Sequence, residues 1–373
     1  MIYLLILSLP VILAFLADET KGALSVILMT MALIVPCFFA GVRDETVGTD
    51  VLTYGIWTFR AAESQGLDAF MQSYIAISAP GFNVLSWLMA QTGSFELYLG
   101  AIQALTVCPL YLYARRRCPG SSWAAMAAYM LLLFPISLNA MKQMIAVSLC
   151  VLSYSLIELK KPLVFVIYIL AIALLFHQTA IVFLVVYPVV RLMMNVGNER
   201  HAFFGRGQRL AVGVFVLLLF GVVFAFGDTL IEVFSPIKES YAYQAEAEGS
   251  RLNYSALVMT AAFVVAYIIN GARMGDPSSP ILREQAILGF LCVIGFLAFQ
   301  LNMAADSLLR FAYYLIAFAP LYTSSLVKVH GRAASQAAAA LVLVFLVVYF
   351  IQVYVINGGN AVFPYTSAFL GVR

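Results

Sequence analysis

Long apolar runs separated by short polar breaks occupy almost the whole chain. Twelve runs stand out, at residues 2–17, 24–41, 95–114, 122–138, 141–158, 162–176, 178–190, 210–227, 255–272, 285–303, 310–327 and 335–356. A helix needs about 20 apolar residues to cross the ~30 Å hydrocarbon core of a bilayer. The runs do not alternate apolar with polar positions, which indicates helices and not barrel strands. The pattern therefore predicts an all-α polytopic integral membrane protein with about 12 transmembrane helices, and residues 1–373 form a single transmembrane domain.

Two of these runs are separated only by the short sequence "FHQT". Residues 162–176 and 178–190 form either two short spans that meet at His177 or one long tilted span with a buried histidine. The periodicity fits both interpretations, and the orientation of every later helix depends on the choice.

Basic residues predict the orientation of the bundle. Fourteen of the 21 Lys and Arg residues fall on one set of breaks: Lys21, Arg115, Arg116, Arg117, Lys160, Lys161, Arg191, Arg200, Arg206, Arg209, Arg273, Arg283, Lys328 and Arg332. The positive-inside rule makes that side cytoplasmic. Residues 191–209 then form a basic cytoplasmic loop, and residues 42–94 and 228–254 form extracytoplasmic loops. Both termini face outward if the chain reverses at His177. The first span lacks a basic start and a good cleavage site, so we expect it to be retained.

The long outer loop carries helical signals of its own. Asp50 precedes "VLTYGIWTFRAA", as a helix N-cap does, and Tyr54 and Trp57 are three residues apart on one face of that helix. The segment "PGFNVLSWLMAQ" is too short to span a bilayer. We therefore predict short re-entrant or interfacial helices within residues 42–94, with Trp87 at the interface.

Composition narrows the class of protein. Hydrophobic residues make up 63% of the chain, charged residues 10%, and the mean hydropathy is +0.96, values that exclude a soluble domain and a nucleic-acid partner. The five cysteines lie in apolar runs without CxxC spacing and are predicted to be core residues. The chain has no P-loop, HExxH or GxSxG motif and only three histidines, so we predict no metal and no cofactor.

Ionisable residues collect at the predicted outer ends of the spans. They are Arg43, Asp44, Asp50, Lys142, His177, Arg251, Asp306 and Arg310. Such residues cost free energy near a bilayer unless they are paired or solvated, so each is a functional candidate. In a single bundle, these side chains would line one cavity at the depth of the outer leaflet.

Each candidate also has a purely structural interpretation. The alternatives are Arg43 and Lys142 extending toward headgroups, His177 as a core histidine, Asp306 and Arg310 as an i,i+4 ion pair, Asp50 as a helix cap, and Tyr54 and Trp57 as interface aromatics. The residue types leave both sets of interpretations open.

Cations beside carboxylates suit a lipid with a phosphate or pyrophosphate headgroup. The cations hold the leaving anion, a carboxylate or histidine takes the proton of the attacking hydroxyl, and aromatic rings cover sugar faces. This describes a glycosyl-transfer site that uses no nucleotide sugar.

Five motifs in order resemble the EpsG family of Wzy-type polysaccharide polymerases. They are "GVRDETVGTDVLTY", "NAMKQMIAVSL", "IALLFHQTAIVFLVVYP", "LLRFAYYLIAFAP" and "VFPYTSAFL". The resemblance implies a glycosyltransferase of the bacterial cytoplasmic (inner) membrane. Such a polymerase joins oligosaccharide repeat units carried on undecaprenyl pyrophosphate, with the active site facing the periplasm or exterior. It also implies lipid-linked donor and acceptor substrates, contact with membrane lipids and a chain-length regulator protein as a partner.

The resemblance extends to individual positions. Those that match the family pattern are Arg43, Gly48, Asp50, His177, Arg310 with Tyr313 or Tyr314, and Pro364 with Tyr365. At the fifth span this chain has Lys142–Gln143 where the family pattern leads us to expect Arg-Gln. Lysine keeps the charge but loses the bidentate fork of arginine.

These considerations assign provisional roles. Asp50 or His177 is the expected base, and Asp44 is expected to orient Arg43. Substrate binding is expected from Arg43, Lys142, Gln143, Arg251, Asp306, Arg310, Tyr313, Tyr54, Trp57 and Tyr365. Three other functions fit the same charges: a flippase of lipid-linked oligosaccharides, an outer-face transferase such as an O-antigen ligase or O-acyltransferase, and a structural membrane subunit.

Overall fold

A computed structural model describes residues 2–73, 79–194, 252–271, 280–303, 306–328 and 333–372. The predicted span 210–227, most of the predicted loops 191–209 and 228–254, and Arg251 lie outside the described residues. Within them the chain is helical, apart from loops and one isolated bridge between Ser367 and Val372.

Fifteen helices organise the described chain. They are α1 (Ile2–Glu19), α2 (Gly22–Gly41), α3 (Ile56–Ser64), α4 (Leu67–Gln72), α5 (Pro80–Ala90), α6 (Phe95–Arg117), α7 (Ser122–Asn139), α8 (Met141–Glu158), α9 (Pro162–Leu175), α10 (Gln178–Met194), α11 (Tyr254–Gly271), α12 (Pro280–Ala298), α13 (Tyr313–Ile316), α14 (Ala319–Lys328) and α15 (Ala333–Phe350). Short 3₁₀ or π turns supplement them, notably Val51–Gly55 and Asp306–Ala312.

Seven helices of the described chain are long and apolar enough to cross a membrane. They cover Ile2–Glu19, Gly22–Gly41, Phe95–Arg117, Ser122–Asn139, Met141–Glu158, Ile281–Asn302 and Ala333–Ile356. Three shorter apolar helices cover Pro162–Leu175, Gln178–Met194 and Tyr254–Asn270. The protein is therefore an all-α, multi-pass membrane protein, and the predicted number of about 12 spans stays a prediction.

The predicted span over 310–327 is not one continuous helix. It is divided into the 3₁₀ segment Asp306–Ala312, the short α13 and the helix α14. Pro320 lies at the start of α14, and its ring nitrogen has no hydrogen to donate to the preceding turn. Arg310 therefore lies in a short irregular segment and not inside a regular span.

The chain reverses direction at His177. The rings of Phe165 in α9 and Tyr187 in α10 lie 5.1 Å apart, and those of Phe165 and Phe183 lie 6.2 Å apart. In one continuous helix, residues 165 and 187 would be ~33 Å apart. The apolar run is therefore two short helices that pack against each other, with His177 extended at the turn between them (φ −157°, ψ 119°).

Polar contacts gather many helix ends into two groups. Arg117 at the end of α6 pairs with Glu158 at the end of α8 and with Glu284 in the first turns of α12, while Lys328 of α14 donates to the Arg117 carbonyl. Arg117 and Lys328 belong to the basic residues that predict the cytoplasmic side, and Glu158 and Glu284 lie close in sequence to others of that set. Residues 42–50, the α7–α8 junction, the turn at His177 and the C-terminal tail meet at the opposite ends.

The long loop forms a packed cap over α6 and α8. Its buried core includes Phe59, Phe70 and Phe82, which pack with Tyr98 of α6 and Met141 of α8.

The start of the helix at Asp50 differs from the predicted helix N-cap. Asp50 has helical backbone angles itself (φ −66°, ψ −23°) and makes no side-chain cap, and a π turn over Val51–Gly55 follows it. The cap interpretation of Asp50 is therefore wrong.

The C-terminal tail folds back onto the start of this loop. The backbone N–H of Asp44 donates to the Thr366 carbonyl at 3.0 Å, and that of Gly48 donates to the Ala361 carbonyl at 2.9 Å. The Ser367 hydroxyl donates to the Val42 carbonyl at 2.5 Å. Residues 42–48 are thus held between the bundle and the end of the chain.

Candidate active site

Arg43 contacts the ends of two helices. Its guanidinium donates to the carbonyls of Ala40 (2.5 Å), Leu138 (3.1 Å) and Val47 (3.1 Å). The Ala40 and Leu138 carbonyls belong to the last turns of α2 and α7, where carbonyls lack helical partners and a cation is favourable. Burial lowers the pKa of Arg43 to about 10, which still leaves it charged at neutral pH.

The structure places Arg43 outside the cavity, and its role in substrate binding stays a prediction. The residue is 6% exposed and does not line the cavity described below. The expected Asp44–Arg43 pair is also not formed, because the Asp44 carboxylate accepts a hydrogen bond from the Ala368 backbone at 2.7 Å. Among the described residues, neither Arg43 nor Asp44 takes part in an ion pair.

Gly48 allows the loop to lie directly on α7. It has a left-handed backbone (φ +89°), and a Cβ atom at this position would lie 2.3 Å from the Leu138 carbonyl oxygen. A residue with a side chain cannot occupy this position without moving the loop. The family-like Gly-x-Asp sequence thus fixes the approach of the loop to α7 and places Asp50 just beyond it.

Asn139 connects Asp50 to both the bundle and the tail. Its side-chain oxygen accepts hydrogen bonds from the Thr49 hydroxyl (2.7 Å) and the Asp50 backbone N–H (3.1 Å). Its amide nitrogen donates to the Asn360 side chain at 3.2 Å. Asn139 is the last residue of α7, three residues before Lys142, so Asp50 and Lys142 are held on one short stretch of structure.

A partly open cavity of about 240 Å³ lies at this end of the bundle. Six of its lining residues are among the predicted site residues: Asp50, Tyr54, Lys142, Gln143, His177 and Arg310. The others are Thr53, Ala79, Ala140, Ala173, Phe176 and Gln178. Residues that are far apart in sequence thus converge, and two cations share the cavity with a carboxylate and an imidazole.

Lys142 lies against aromatic rings on one wall. Its Nζ atom is 4.4 Å from the ring centroid of Tyr54 and 5.0 Å from that of Phe82, distances at which a cation is attracted to a ring face. The Tyr54 hydroxyl accepts from the Lys142 backbone N–H at 3.4 Å and hydrogen-bonds to Asp50. Burial and the neighbouring Asp50 raise the pKa of Tyr54 well above its usual range, so Tyr54 stays protonated and acts as the donor.

His177 belongs to a hydrogen-bonded cluster that also includes Thr179, Tyr314 and Gln143. Its Nδ1 atom is 2.6 Å from the Thr179 hydroxyl, which is 2.9 Å from the Tyr314 hydroxyl. Gln143 donates to the Arg310 carbonyl at 2.9 Å and to Thr179 at 3.4 Å. The cluster joins α8, the α9–α10 turn and the segment that carries Arg310.

Arg310 lines the cavity. It forms no ion pair with any carboxylate whose side chain the structure describes. The interpretation of Arg310 as half of an i,i+4 pair with Asp306 depends on the Asp306 side chain, which lies outside the described part, as does Arg251.

Three predicted residues lie away from the cavity wall. Trp57 is 56% exposed and its ring lies beside Arg60, outside the cavity. Tyr365 is buried and donates to the Phe39 carbonyl at 2.8 Å, which ties the tail to α2. Tyr313 packs against Phe299, while the adjacent Tyr314 hydrogen-bonds to Thr179 of the His177 cluster.

Asn139, Thr179 and Phe82 carry no charge, so the pattern of ionisable residues does not indicate them. Neutral amides, hydroxyls and rings are common in apolar helices, and their spacing does not mark them. Thr179 lies in the "FHQT" break, and its polarity between two apolar runs was the one signal that pointed to it.

A sequence profile of the EpsG family matches residues 26–367, which include the first four motifs, residues 362–367 of the fifth and every cavity residue. The chain belongs to the EpsG family. EpsG-family proteins have the known role of Wzy-type polymerases, so this chain is an exopolysaccharide polymerase-type membrane protein. No curated protein and no solved structure matches this EpsG-family chain.

Proposed function

We propose that this EpsG-family protein joins oligosaccharide repeat units carried on undecaprenyl pyrophosphate, at the outer face of a bacterial inner membrane. The observation that carries the proposal is the shared cavity, in which Lys142 and Arg310 accompany Asp50 and His177. Two cations suit a pyrophosphate leaving group, and a carboxylate or imidazole suits removal of a hydroxyl proton.

The reaction is a displacement at the anomeric carbon of the growing chain. The hydroxyl oxygen of the acceptor sugar forms the new bond to that carbon, and the bond from the carbon to the pyrophosphate oxygen breaks. The electron pair leaves with the pyrophosphate, where Lys142 and Arg310 offset the added charge. Asp50 or His177 takes the proton of the attacking hydroxyl. No metal or cofactor enters this scheme.

The cavity volume suits the reacting groups and not the whole substrates. At about 240 Å³ it lies below the ~300–1,000 Å³ of pockets that enclose drug-sized ligands. A pyrophosphate with the adjoining sugar fits this scale, while the polyprenyl chain must lie outside the cavity.

A lipid chain has a short route from the bilayer to the cavity. Ala173 and Phe176, in the last turn of α9 and just after it, line the cavity, and Leu174 between them is 68% exposed on the apolar outside of the bundle. The 14 residues of α9 extend only ~21 Å, less than the ~30 Å hydrocarbon core. This geometry supports lateral entry of the lipid-linked substrate beside α9.

The positive-inside rule supports an outward-facing cavity. The basic residues around Arg117 and Lys328 belong to the end of the bundle opposite the cavity, which the proposal assigns to the cytoplasm. An outward site requires substrates already moved across the membrane, and it leaves the product accessible to a chain-length regulator protein as the proposed partner.

Alanine substitutions at Asp50 and Arg310 test the proposal in the producing strain. We expect D50A and R310A to abolish long polymer, at equal protein level, and to accumulate single lipid-linked repeat units outside the membrane. The matched controls are E63A and R60A, since Glu63 and Arg60 are exposed residues of the same cap that do not line the cavity.

Other outcomes separate the rival functions. Units that accumulate on the inner side would indicate a flippase, and loss of single units from the final acceptor would indicate a ligase. Normal long polymer from both D50A and R310A would overturn the proposed site.

A further inference from the structure

Thr179 contacts Nδ1 of His177, and the protonation of Nδ1 decides whether the other ring nitrogen, Nε2, can act as a base. The Thr179 hydroxyl lies 2.6 Å from Nδ1 of His177, and His177 lines the cavity. A neutral imidazole carries one proton, so the state of Nδ1 fixes the state of Nε2. If Nδ1 holds the proton, Nε2 has a lone pair and can act as a base.

The hydroxyl of Thr179 has a single proton to give. Gln143 contacts Thr179 through Nε2 at 3.4 Å, and this nitrogen can only donate, because it also donates to the Arg310 carbonyl. The Thr179 proton must therefore go either to Nδ1 of His177 or to the Tyr314 oxygen, 2.9 Å away.

The two directions give opposite chemistry at His177. If Thr179 donates to His177, Nδ1 is an acceptor, and the ring carries its proton on Nε2, where it can only donate. If Thr179 donates to Tyr314, it can accept the Nδ1–H of His177, which leaves the Nε2 lone pair as a proton acceptor. Only the second arrangement persists after His177 gains a proton, because the charged ring donates from both nitrogens.

We propose that Thr179, together with Tyr314, is a positioning pair that holds His177 in the Nδ1–H tautomer and so makes Nε2 the base toward the acceptor sugar hydroxyl. This inference rests on the proposed function. During transfer, the hydroxyl proton moves to Nε2, the sugar oxygen bonds to the anomeric carbon, and the pyrophosphate leaves with the electron pair of the broken bond. His177 later returns the proton to solvent.

The other cavity groups are consistent with this division of roles. Asp50 already hydrogen-bonds to the Tyr54 hydroxyl, and Lys142 lies against the rings of Tyr54 and Phe82. The titratable and charged groups around His177 are therefore Asp50, Tyr54, Lys142 and Arg310 in the cavity and Tyr314 beyond Thr179. The Thr179 hydroxyl is the hydrogen-bond partner of the imidazole Nδ1.

The test measures initial polymerisation rates in proteoliposomes as a function of pH. The substrate is the pool of lipid-linked single repeat units, extracted from a strain that lacks the polymerase gene. T179V removes the hydroxyl at nearly constant volume, and T179S restores it. We expect T179V to lower kcat about 10- to 100-fold with KM changed less than about twofold, and T179S to stay within about threefold of the wild type.

The pH profile gives a readout that a structural defect would not change. Valine cannot accept the Nδ1–H bond, so the charged ring becomes less favourable and the acid limb of the rate profile moves to lower pH. We expect Y314F to lower kcat as well, because the Thr179 proton then turns to Nδ1 and blocks the base. T323V is the matched control, since the Thr323 hydroxyl donates to its own helix at Ala319, away from the cavity.

The outcomes separate this inference from the function on which it rests. Wild-type activity of H177A would overturn the base assignment within the proposed function. Loss of polymer in H177A, with a wild-type rate and profile in T179V, would overturn the role of Thr179 alone. Loss in T179V with a wild-type rate in Y314F would overturn the tautomer, because Thr179 would then donate to His177.

Discussion

Asn139 and Asp50 are joined by a hydrogen bond of 3.1 Å, from the Asp50 backbone N–H to the Asn139 side-chain oxygen. The same Asn139 side chain donates to Asn360 in the C-terminal tail at 3.2 Å. A residue at the end of α7 thus connects the cavity residue Asp50 to a segment more than 200 residues away from that helix end. The position of Asp50 in the cavity therefore depends on three parts of the chain at once.

Substitution of Asn139 by alanine is expected to impair the site more than the fold. N139A loses three hydrogen bonds that hold the Thr49–Asp50 turn and the tail, each worth about 1 kcal/mol. We expect polymerisation to fall about 10- to 100-fold. Initial rates in proteoliposomes and melting temperature in detergent measure the two effects separately.

N357A is the matched control for Asn139. Asn357 is an exposed asparagine of the same tail, bonded only to Gln352 among the described side chains. We expect wild-type rates from N357A. Equal rates in N139A and N357A would show that the Asn139 contacts do not position Asp50.

Gly48→Ala is expected to displace the loop. The new Cβ would lie 2.3 Å from the Leu138 carbonyl oxygen, a backbone atom that cannot move aside alone. The substitution also strains a left-handed backbone, which costs about 1 kcal/mol or more. We expect G48A to lower the melting temperature and to abolish long polymer.

Gly93→Ala separates the steric clash from the backbone strain. Gly93 is also left-handed (φ +68°), but a Cβ there would meet no atom within 4 Å. G93A should therefore show only the cost of the backbone conformation and keep its activity. If G48A and G93A behave alike, close contact with α7 is not what the glycine provides.

The residues that line the cavity were easier to predict from the sequence than the contacts that hold them in place. Asp50, Lys142, His177 and Arg310 could be selected because an ionisable side chain at the end of an apolar run is costly without a partner or water. Arg43 meets the same criterion but lies outside the cavity. A lone arginine beside a span has the same sequence pattern whether it binds an anion or, as here, the carbonyls of two helix ends.

Contacts between distant segments could not be predicted from local patterns. The Asp44 carboxylate bonds to Ala368, 324 residues along the chain, and no spacing rule connects the two. The sequence pattern also leaves the reversal at His177 open, because two packed short helices and one long helix share the same periodicity. The Phe165–Tyr187 contact decides it. Regular spans were simpler to predict, because their length is fixed by the bilayer.

Lysine substitutions are expected to distinguish the role of Arg43 from that of Arg310. R43K cannot reproduce the three carbonyl contacts in the same geometry and should lower the free energy of unfolding by about 2–4 kcal/mol. R310K keeps the charge in a cavity and should leave stability unchanged while KM for the lipid-linked donor rises about 10-fold. Melting temperature and KM measured on the same preparations test both statements. A stable R43K protein with a raised KM would instead make Arg43 a substrate ligand.

Lys142 provides the last test, because its surroundings suit either a bound anion or a purely structural cation. K142R keeps the charge and lets a planar guanidinium stack on the rings of Tyr54 and Phe82, so we expect activity within about threefold of the wild type. K142M keeps the length and removes the charge, and we expect kcat/KM to fall about 100-fold or more.

Inorganic pyrophosphate distinguishes the two roles of Lys142. A cation that binds the leaving group also binds free pyrophosphate, so inhibition by this anion should be strong in the wild type and in K142R and weak in K142M. K160M serves as the control, since Lys160 is an exposed lysine just beyond the opposite end of α8. Unchanged inhibition in K142M, together with a lower melting temperature, would mean that Lys142 only stabilises the aromatic wall and that Arg310 alone holds the pyrophosphate.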